Sequence, residues 1–211
     1  SARWNHDLDL TGKRVAVIGN AASAIQFIPQ IASRAEKLAI FQRSPNWMIP
    51  RGDRAYTDRE KRFFGRFPIF AQLYRWWIWF QFELRFPAFR GHPRAAKVVR
   101  KMAEQYIRDT VVDRRLHSTL IPDYPVGGKR ILISDDYYEA LNRENVSLVT
   151  SGIDHVAEDG VVTTDGARHP ADVLILATGF HSTQFLAPME IEGLPGRSLA
   201  ILAKDLDGEG T

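Results

Sequence analysis

The chain has 211 residues, 45% of them hydrophobic and 25% charged, which is the composition of a folded globular protein and not of a disordered segment or a bundle of membrane spans. Its formal net charge is only +3, and acidic residues are interleaved with basic ones along most of the chain, so the sequence makes no case for nucleic-acid binding. The absence of cysteine excludes disulfides and thiolate metal sites and fits a reducing cytoplasm.

The first predicted element is a strand that leads into a glycine turn. Residues 13–19, KRVAVIG, are a short apolar run typical of a buried parallel strand. Apolar residues then recur at helical spacing over 22–35, and KLAIF at 37–41 predicts a second strand. This βαβ unit is the context in which a turn of the form G-x-G-x-x-G binds a dinucleotide. Ala21 replaces the middle glycine, and its methyl group narrows the approach of a pyrophosphate, so we expect weakened binding.

The end of the second strand indicates which dinucleotide would bind. An NAD-binding unit usually carries Asp or Glu there to accept hydrogen bonds from the ribose hydroxyls, whereas this chain reads QRSP, with Arg43 and Ser44. A guanidinium and a hydroxyl both bond phosphate oxygens, so these residues favour NADP(H) over NAD(H). The alternative is a tight βα connection that binds nothing, with Arg43 as an ordinary surface residue.

Residues 56–121 interrupt the α/β alternation with a segment rich in aromatic residues and arginine, which we interpret as a helical insertion. Its apolar stretches are broken by charged residues and are shorter than the roughly 18 apolar residues of a membrane span. Two interpretations stay open. The insertion packs against another domain, which is the commoner outcome, or it lies on a membrane surface.

The α/β pattern resumes in residues 122–211. Two glycines precede Lys129 and Arg130 at the start of a predicted strand, KRILI, where adjacent side chains point to opposite sides of the backbone. A helix then begins near Asp136, which we expect to form a reciprocal cap with Glu139, a simpler account of the acidic pair at 135–136 than acid–base catalysis.

The last predicted elements are a hairpin and a strand. Two Asp-Gly turns frame the hairpin, and the buried strand DVLILATG follows it, ending at Gly179. The sequence thus predicts an α/β fold, a Rossmann-like dinucleotide-binding domain with a parallel sheet, a β-hairpin and a helical insertion. Its first part is 1–55, the insertion is 56–121 and its second part is 122–211.

Four stretches resemble the flavin-dependent Baeyer–Villiger monooxygenases, within the wider flavin-containing monooxygenases. They are the glycine motif GKRVAVIGNAASAIQ, the strand end FQRSPNW, the segment YPVGGKRILISDDYY and the returning strand LILATGF. The opening SARW also resembles the tail of the family fingerprint F-x-G-x-x-x-H-x-x-x-W, with Trp4 as its tryptophan and the histidine just before Ser1. The chain departs from the pattern at Asn5, where Pro or Asp is usual, and at Ala21 and Ala24, which replace glycines.

This resemblance implies a flavoenzyme in which NADPH reduces FAD, O2 reacts with the reduced flavin, and a ketone becomes an ester or lactone. It implies that Arg130 stabilises developing negative charge and that Lys129, Arg43 and Ser44 hold the 2′-phosphate. The turn would present backbone N–H groups to the pyrophosphate, and the end of the returning strand would line the hinge toward the flavin domain. The residues concerned are, for the turn, Gly19, Asn20, Ala21, Ala22, Ser23 and Ala24, and, for the hinge, Ala177, Thr178 and Gly179.

The chain would hold only the NADPH half of such an enzyme, because no FAD-binding glycine motif is present in it. The expected partners are its own FAD-binding domain, a small ketone and O2, and we expect the isolated piece to be inactive. The alternatives are an N- or S-oxidising flavin monooxygenase, a stand-alone NADP-binding module without catalysis, and an interaction domain that works through the insertion.

Overall fold

A computed structural model describes residues 4–84, 86–90 and 92–179. The chain forms two compact units, one that ends at Thr178 and a second that begins at Gly179. The fingerprint residues 1–3 and the predicted return toward a flavin domain in 180–211 lie outside the described residues.

The centre of the fold is a parallel four-stranded sheet. Arg14–Ile18 (β1) pairs with Lys37–Phe41 (β2) on one side and with Val173–Leu176 (β9) on the other, and Val146–Val149 (β5) pairs with β2. The order across the sheet is therefore β5-β2-β1-β9. The chain moves from β1 toward one edge and later returns to the other side of β1, so the order reverses between β1 and β9. In open α/β sheets such a reversal creates a crevice at the carboxyl ends of the strands.

Helix Ala24–Ala32 (α1) connects β1 to β2 and buries Ile25, Ile28 and Ile31 in the main core. These residues recur at three-residue spacing, which places them on one side of the helix. The βαβ unit predicted from the sequence is present, with the helix ending before Ala35.

The segment between β2 and the second half of the sheet is helical. After the short strand Met48–Ile49 (β3) come Asp58–Arg66 (α2), Pro68–Glu83 (α3), Phe86–Phe89 (α4), Pro93–Thr110 (α5) and Arg115–Leu120 (α6). Helices α2 and α3 contain no buried residue, whereas α5 buries Val99, Ala103 and Ile107. The helices predicted for this segment therefore differ in packing: α5 belongs to the core, and α2 and α3 do not.

Strand β3 pairs in parallel with Leu132–Ile133 (β4) and so joins the chain before the helices to the chain after them. The predicted strand KRILI is thus shorter than expected. Helix Tyr137–Ala140 (α7) follows. Its predicted reciprocal cap is wrong: the Asp136 side chain makes no cap bond and instead accepts a hydrogen bond from Ser134 Oγ at 2.7 Å.

A third sheet, after the central sheet and the β3–β4 pair, is antiparallel. It contains Ile153–Ala157 (β6), Gly160–Thr163 (β7) and Arg168–Pro170 (β8), in that order. The two Asp-Gly turns connect β6 to β7 and β7 to β8, so the predicted hairpin is extended by a third strand. The α/β fold with a parallel sheet, a hairpin and helices is confirmed.

Candidate functional site

Three strand ends meet at Gly19. Its N–H donates to Phe41 O at 3.0 Å, and Ala177 N–H donates to Ile18 O at 2.8 Å, so the turn after β1 is held between β2 and β9. Gly19 has a φ of +106°, and a Cβ at this position would lie 2.5 Å from Ala177 O. Only glycine fits this crossing, because both the backbone conformation and the space exclude a side chain. The structure therefore brings the predicted residues Gly19 and Ala177 together at the crevice between β1 and β9.

The turn that follows is tied to the loop after β2 through Asn20. Asn20 Nδ2 donates to Gln42 Oε1 at 2.6 Å and to Ser44 O at 3.3 Å, while Asn46 Nδ2 donates to Asn20 O at 3.2 Å. Gln42 is buried, and its Nε2 donates to Thr119 O at 3.2 Å. This amide network fixes the distance between the glycine turn and the strand end that carries Arg43 and Ser44.

Gln42 and Asn46 were not singled out from the sequence. The available signal was a glutamine that directly follows an apolar strand, because a buried amide needs hydrogen-bond partners on both its oxygen and its nitrogen. Neither the partners nor their direction could be read from the spacing, since Asn20 and Thr119 are distant in sequence.

Residues 21–23 form the turn that leads into α1, which begins at Ala24. The Ile25 N–H donates to Ala21 O at 3.1 Å, which leaves the N–H groups of Ala22, Ser23 and Ala24 ahead of the helical ladder. These groups and the positive end of the helix form the type of surface that accepts phosphate oxygens. Ala21 is exposed, and no described residue other than glycine has a positive φ, so its methyl group strains no backbone.

Lys129 reaches the strand end from the other half of the chain. Its Nζ donates to Ser44 Oγ at 3.2 Å and lies 4.6 Å from the centre of the Tyr124 ring. A turn precedes it, in which Gly128 N–H donates to Pro125 O at 3.0 Å and Gly127 has a φ of +92°. The lysine is thus delivered by a specific turn, and it meets a residue 85 positions earlier in the chain.

Tyr124 connects the two loops behind Lys129. Its hydroxyl donates to Pro45 O at 3.1 Å, and Trp47 Nε1 donates to Tyr124 O at 2.9 Å. Trp47 is almost completely buried in a second hydrophobic cluster. Burial of the hydroxyl raises the pKa of Tyr124. Tyr124 was not identified from the sequence as a site residue.

Arg43 and Arg130 are both exposed, and neither forms a hydrogen bond or ion pair with another residue of the described ranges. Arg43 directly precedes Ser44 in the chain, whereas Lys129 contacts the Ser44 hydroxyl itself. Arg130 follows Lys129 but contacts neither Ser44 nor the glycine turn through a hydrogen bond. That the two adjacent cations project to opposite sides of the backbone stays a prediction.

The last predicted site residues follow β9. Thr178 is exposed next to the buried Ala177. Gly179, the first residue of the second unit, has a φ of +98°, which favours glycine.

Taken together, a parallel sheet that reverses its order at β1, a glycine turn at that reversal and a free helix N-terminus define an α/β unit of the Rossmann type, the fold class of dinucleotide-binding domains. No protein-family model matches the chain. The sequence is 41% identical over 200 residues to a Baeyer–Villiger monooxygenase of Streptomyces coelicolor. The aligned region covers 95% of this chain and 38% of the relative.

Solved structures also resemble the fold, and two of them serve as examples. An oxidised steroid monooxygenase bound to NADP superimposes with a TM-score of 0.76 and 32% identity, over 97% of this chain and 46% of that protein. OTEMO in complex with FAD and NADP gives a TM-score of 0.74 and 28% identity, over 95% of this chain and 45% of that protein. The chain is therefore homologous, in sequence and in fold, to a part of the Baeyer–Villiger monooxygenases, and it spans less than half the length of the relatives that it matches.

Proposed function

We propose that this chain is the NADPH-binding portion of an FAD-dependent monooxygenase that inserts one oxygen atom of O2 into a ketone. The observation that carries the proposal is the contact between Lys129 Nζ and Ser44 Oγ next to the exposed Arg43. This group of donors lies after β2, where the ribose of a dinucleotide bound at the glycine turn would lie. No acidic residue occurs between Phe41 and Trp47 to accept a hydrogen bond from a 2′-hydroxyl.

The residues present fit NADP(H). Gly19 permits close approach of the backbone, the N–H groups of Ala22 to Ala24 suit the pyrophosphate, and Arg43, Ser44 and Lys129 suit a 2′-phosphate. FAD would be held mainly by residues outside this chain. The bound cofactors would supply hydride transfer and the activation of O2, and this chain's residues would bind and orient the nicotinamide dinucleotide.

Binding of the two nucleotides to this chain tests the proposal. Isothermal titration calorimetry should give an affinity for NADP+ that exceeds that for NAD+ by on the order of 10- to 100-fold, because each charge-assisted bond to phosphate contributes about 1.5–3 kcal/mol. Arg43→Ala and Lys129→Ala should weaken NADP+ binding and leave NAD+ binding unchanged. Arg143→Ala, an exposed arginine elsewhere, is the control. Equal or tighter binding of NAD+ would refute the assignment.

We further propose that Arg130 is the catalytic cation of the complete enzyme. An exposed guanidinium with no partner in the described part of the chain is free to stabilise negative charge on the reacting oxygen atoms. Arg130→Ala should allow NADPH to reduce the flavin but slow oxygenation of the ketone by on the order of 10² to 10³. Lys129→Ala should instead raise the NADPH concentration needed, with the later steps intact once NADPH saturates.

Stopped-flow spectroscopy of the full-length protein separates these two outcomes, since flavin reduction and oxygenation are observed as distinct phases. If Arg130→Ala formed ester at the normal rate, Arg130 would be an ordinary surface cation.

A further inference from the structure

Helix α3 carries a continuous apolar face that no described residue covers. Its members, spaced by 4, 3, 1, 3 and 4 residues, lie on one side of the helix and are each 48–63% exposed: Ile69, Leu73, Trp76, Trp77, Phe80 and Leu84, the last being the cap residue. We call this the α3 stripe. Large exposed apolar patches mark binding surfaces, because leaving them in water is unfavourable.

The α3 stripe is not the side by which α3 packs on its neighbour. Tyr74 lies 5.8 Å from Phe64 and 6.2 Å from Tyr56, and Phe70 lies 5.2 Å from Phe63, measured between ring centres. These pairs fix α3 to α2 and to the residues before it. The packing within the insertion is thus achieved without the α3 stripe.

The electric charge of this region differs from that of the rest of the chain. Residues 54–101 contain twelve Arg and Lys against three Asp and Glu, whereas the remaining residues contain sixteen basic and twenty-two acidic ones. Two of the three acidic residues are already paired, Asp58 with Lys61 at 3.4 Å and Glu60 with Arg54 at 2.6 Å. The excess of positive charge is therefore a property of residues 54–101, most of which belong to the insertion, and is opposite in sign to that of the rest of the chain.

Three of these cations lie on α2, the helix that packs against α3. Arg59, Arg62 and Arg66 on α2 are all exposed and form no ion pair within the described residues. A purely apolar partner would leave these charges without compensation. An apolar phase bordered by negative charge satisfies both the cations and the stripe, and that is the chemistry of an anionic lipid surface.

The composition of the α3 stripe fits the boundary of a bilayer better than its interior. Tryptophan is enriched at membrane–water interfaces, where its ring is apolar and its N–H stays hydrated. Sixteen residues of helix extend about 24 Å, which is less than the ~30 Å of a hydrocarbon core. No helix in the described part of the chain has the length and apolar character required to cross a membrane.

We propose that α2 and α3 bind in the plane of an anionic bilayer, with the α3 stripe at the acyl boundary and the α2 arginines on the lipid phosphates. The inference depends on surface composition and not on the proposed function. The alternative partner of the α3 stripe is the protein's own flavin-binding domain. Vesicle binding distinguishes the lipid surface from this domain.

The experiment is co-sedimentation of the chain with two kinds of vesicle, pure phosphatidylcholine and phosphatidylcholine containing about 30 mol% phosphatidylglycerol. We expect the chain to bind the anionic vesicles, and this binding should weaken as the salt concentration is raised. Binding to the neutral vesicles should be weaker by roughly tenfold or more. Binding of equal strength to both, or to neither, overturns the proposal.

Two sets of variants assign the binding to residues. The triple substitution Arg59→Gln, Arg62→Gln and Arg66→Gln should lower the partition coefficient by on the order of 100-fold, because each cation near the surface contributes about 1 kcal/mol. The same charge change elsewhere, Arg34→Gln, Lys37→Gln and Arg143→Gln, should have little effect. Loss of binding in this control to the same extent would show a non-specific attraction and would overturn the assignment to α2.

The stripe is tested by Trp76→Gln with Trp77→Gln, against Val112→Gln with Val156→Gln, two exposed apolar residues elsewhere. The tryptophan pair should abolish binding and the valine pair should not. Circular dichroism checks that all variants are folded. The full-length protein with its flavin domain must also bind anionic vesicles. If only the shorter chain binds, the α3 stripe is covered by the flavin domain and the proposal is wrong.

Discussion

The ammonium group of Lys129 lies 4.6 Å from the centre of the Tyr124 ring. The Tyr124 hydroxyl donates a hydrogen bond to the carbonyl oxygen of Pro45, the residue that follows Ser44. An aromatic face attracts a cation electrostatically. Tyr124 therefore holds Lys129 over the end of β2 and connects the two halves of the proposed 2′-phosphate site.

Replacing Tyr124 tests this positioning role. Tyr124→Leu should weaken NADP+ binding by about 3- to 10-fold, since a cation–π contact contributes about 0.5–1 kcal/mol and the loop also loses its tether. Tyr124→Phe retains the ring and should lose less. Titration calorimetry with NADP+ and NAD+ measures both. A structural role alone would weaken the two nucleotides equally, which would contradict the prediction.

The crossing at Gly19 predicts a large effect from a single methyl group. Gly19→Ala should destabilise the chain by on the order of 3 kcal/mol, because it combines a left-handed backbone conformation with a Cβ only 2.5 Å from Ala177 O. Gly12 has a φ of +69°, but a Cβ added there would meet no atom within 4 Å, so Gly12→Ala should cost only about 1 kcal/mol. Urea unfolding of the two variants gives the comparison. Equal losses would show that the close approach contributes nothing.

Replacing Tyr137 should have the opposite effect on the free energy of unfolding to replacing Gly19. Its hydroxyl is buried without a hydrogen-bond partner in the described structure, and leaving such a group unsatisfied costs about 1–3 kcal/mol. Tyr137→Phe should therefore leave the free energy of unfolding unchanged or increase it. Tyr106, which packs in the same aromatic cluster, donates its hydroxyl to Ser134 O at 2.8 Å and to Asp135 O at 2.9 Å. Tyr106→Phe should destabilise the chain, and an equal response of the two variants would contradict the argument.

The acid side of the stability curve depends partly on Asp172. Hydrogen bonds from the Arg14 side chain and N–H lower the pKa of Asp172 from 3.8 to about 2. Because the folded-state pKa is depressed, this carboxylate stabilises the fold fully above about pH 4 and progressively less as the pH falls toward about 2. Asp172→Asn should lower the unfolding midpoint at about pH 7, and the difference from the unaltered chain should shrink between about pH 4 and pH 2.

Glu144→Gln is the control for that experiment, since Glu144 is exposed and forms no ion pair in the described residues. The unfolding midpoint of Glu144→Gln should equal that of the unaltered chain at every pH. Thermal unfolding followed by circular dichroism is sufficient. A difference for Asp172→Asn that persists unchanged at the acid end of the range would show that the carboxylate acts by packing and not by charge.

The elements of the parallel sheet were predictable because each strand carries its own signal. Residues 14–18 and 37–41 are largely apolar runs bounded by polar residues or glycine, as a strand buried on both faces requires. Residues 173–176 are an apolar run as well, although β9 lies at the edge of the sheet and exposes Leu174 and Leu176. The Asp136 cap failed for a physical reason. Ser134 competes for the same carboxylate at 2.7 Å, and a local pattern of Asp and Glu does not contain that competitor.

The side chains proposed to contact the phosphate were predictable from the sequence, and the residues that support them were not. Arg43, Ser44 and Lys129 are recognisable by their chemistry at a strand end or beside two glycines. Tyr124 and Gln42 act through backbone carbonyl groups 79 and 77 residues away, at Pro45 and Thr119. Such partners are fixed by the tertiary fold, so spacing along the chain carries no record of them.

The pairing of β3 with β4 closes, at its base, the long loop that contains helices α2 to α6. Leu132 N–H donates to Trp47 O at 2.8 Å, and the Asp135 carboxylate accepts hydrogen bonds from the N–H groups of Arg51 and Gly52 at 2.7 and 3.1 Å. With the ends joined in this way, the entropy of closing the loop changes only slowly with its length. Residues 54–92 can therefore be lengthened, shortened or exchanged in evolution or by engineering, while Lys129 stays in register with Ser44.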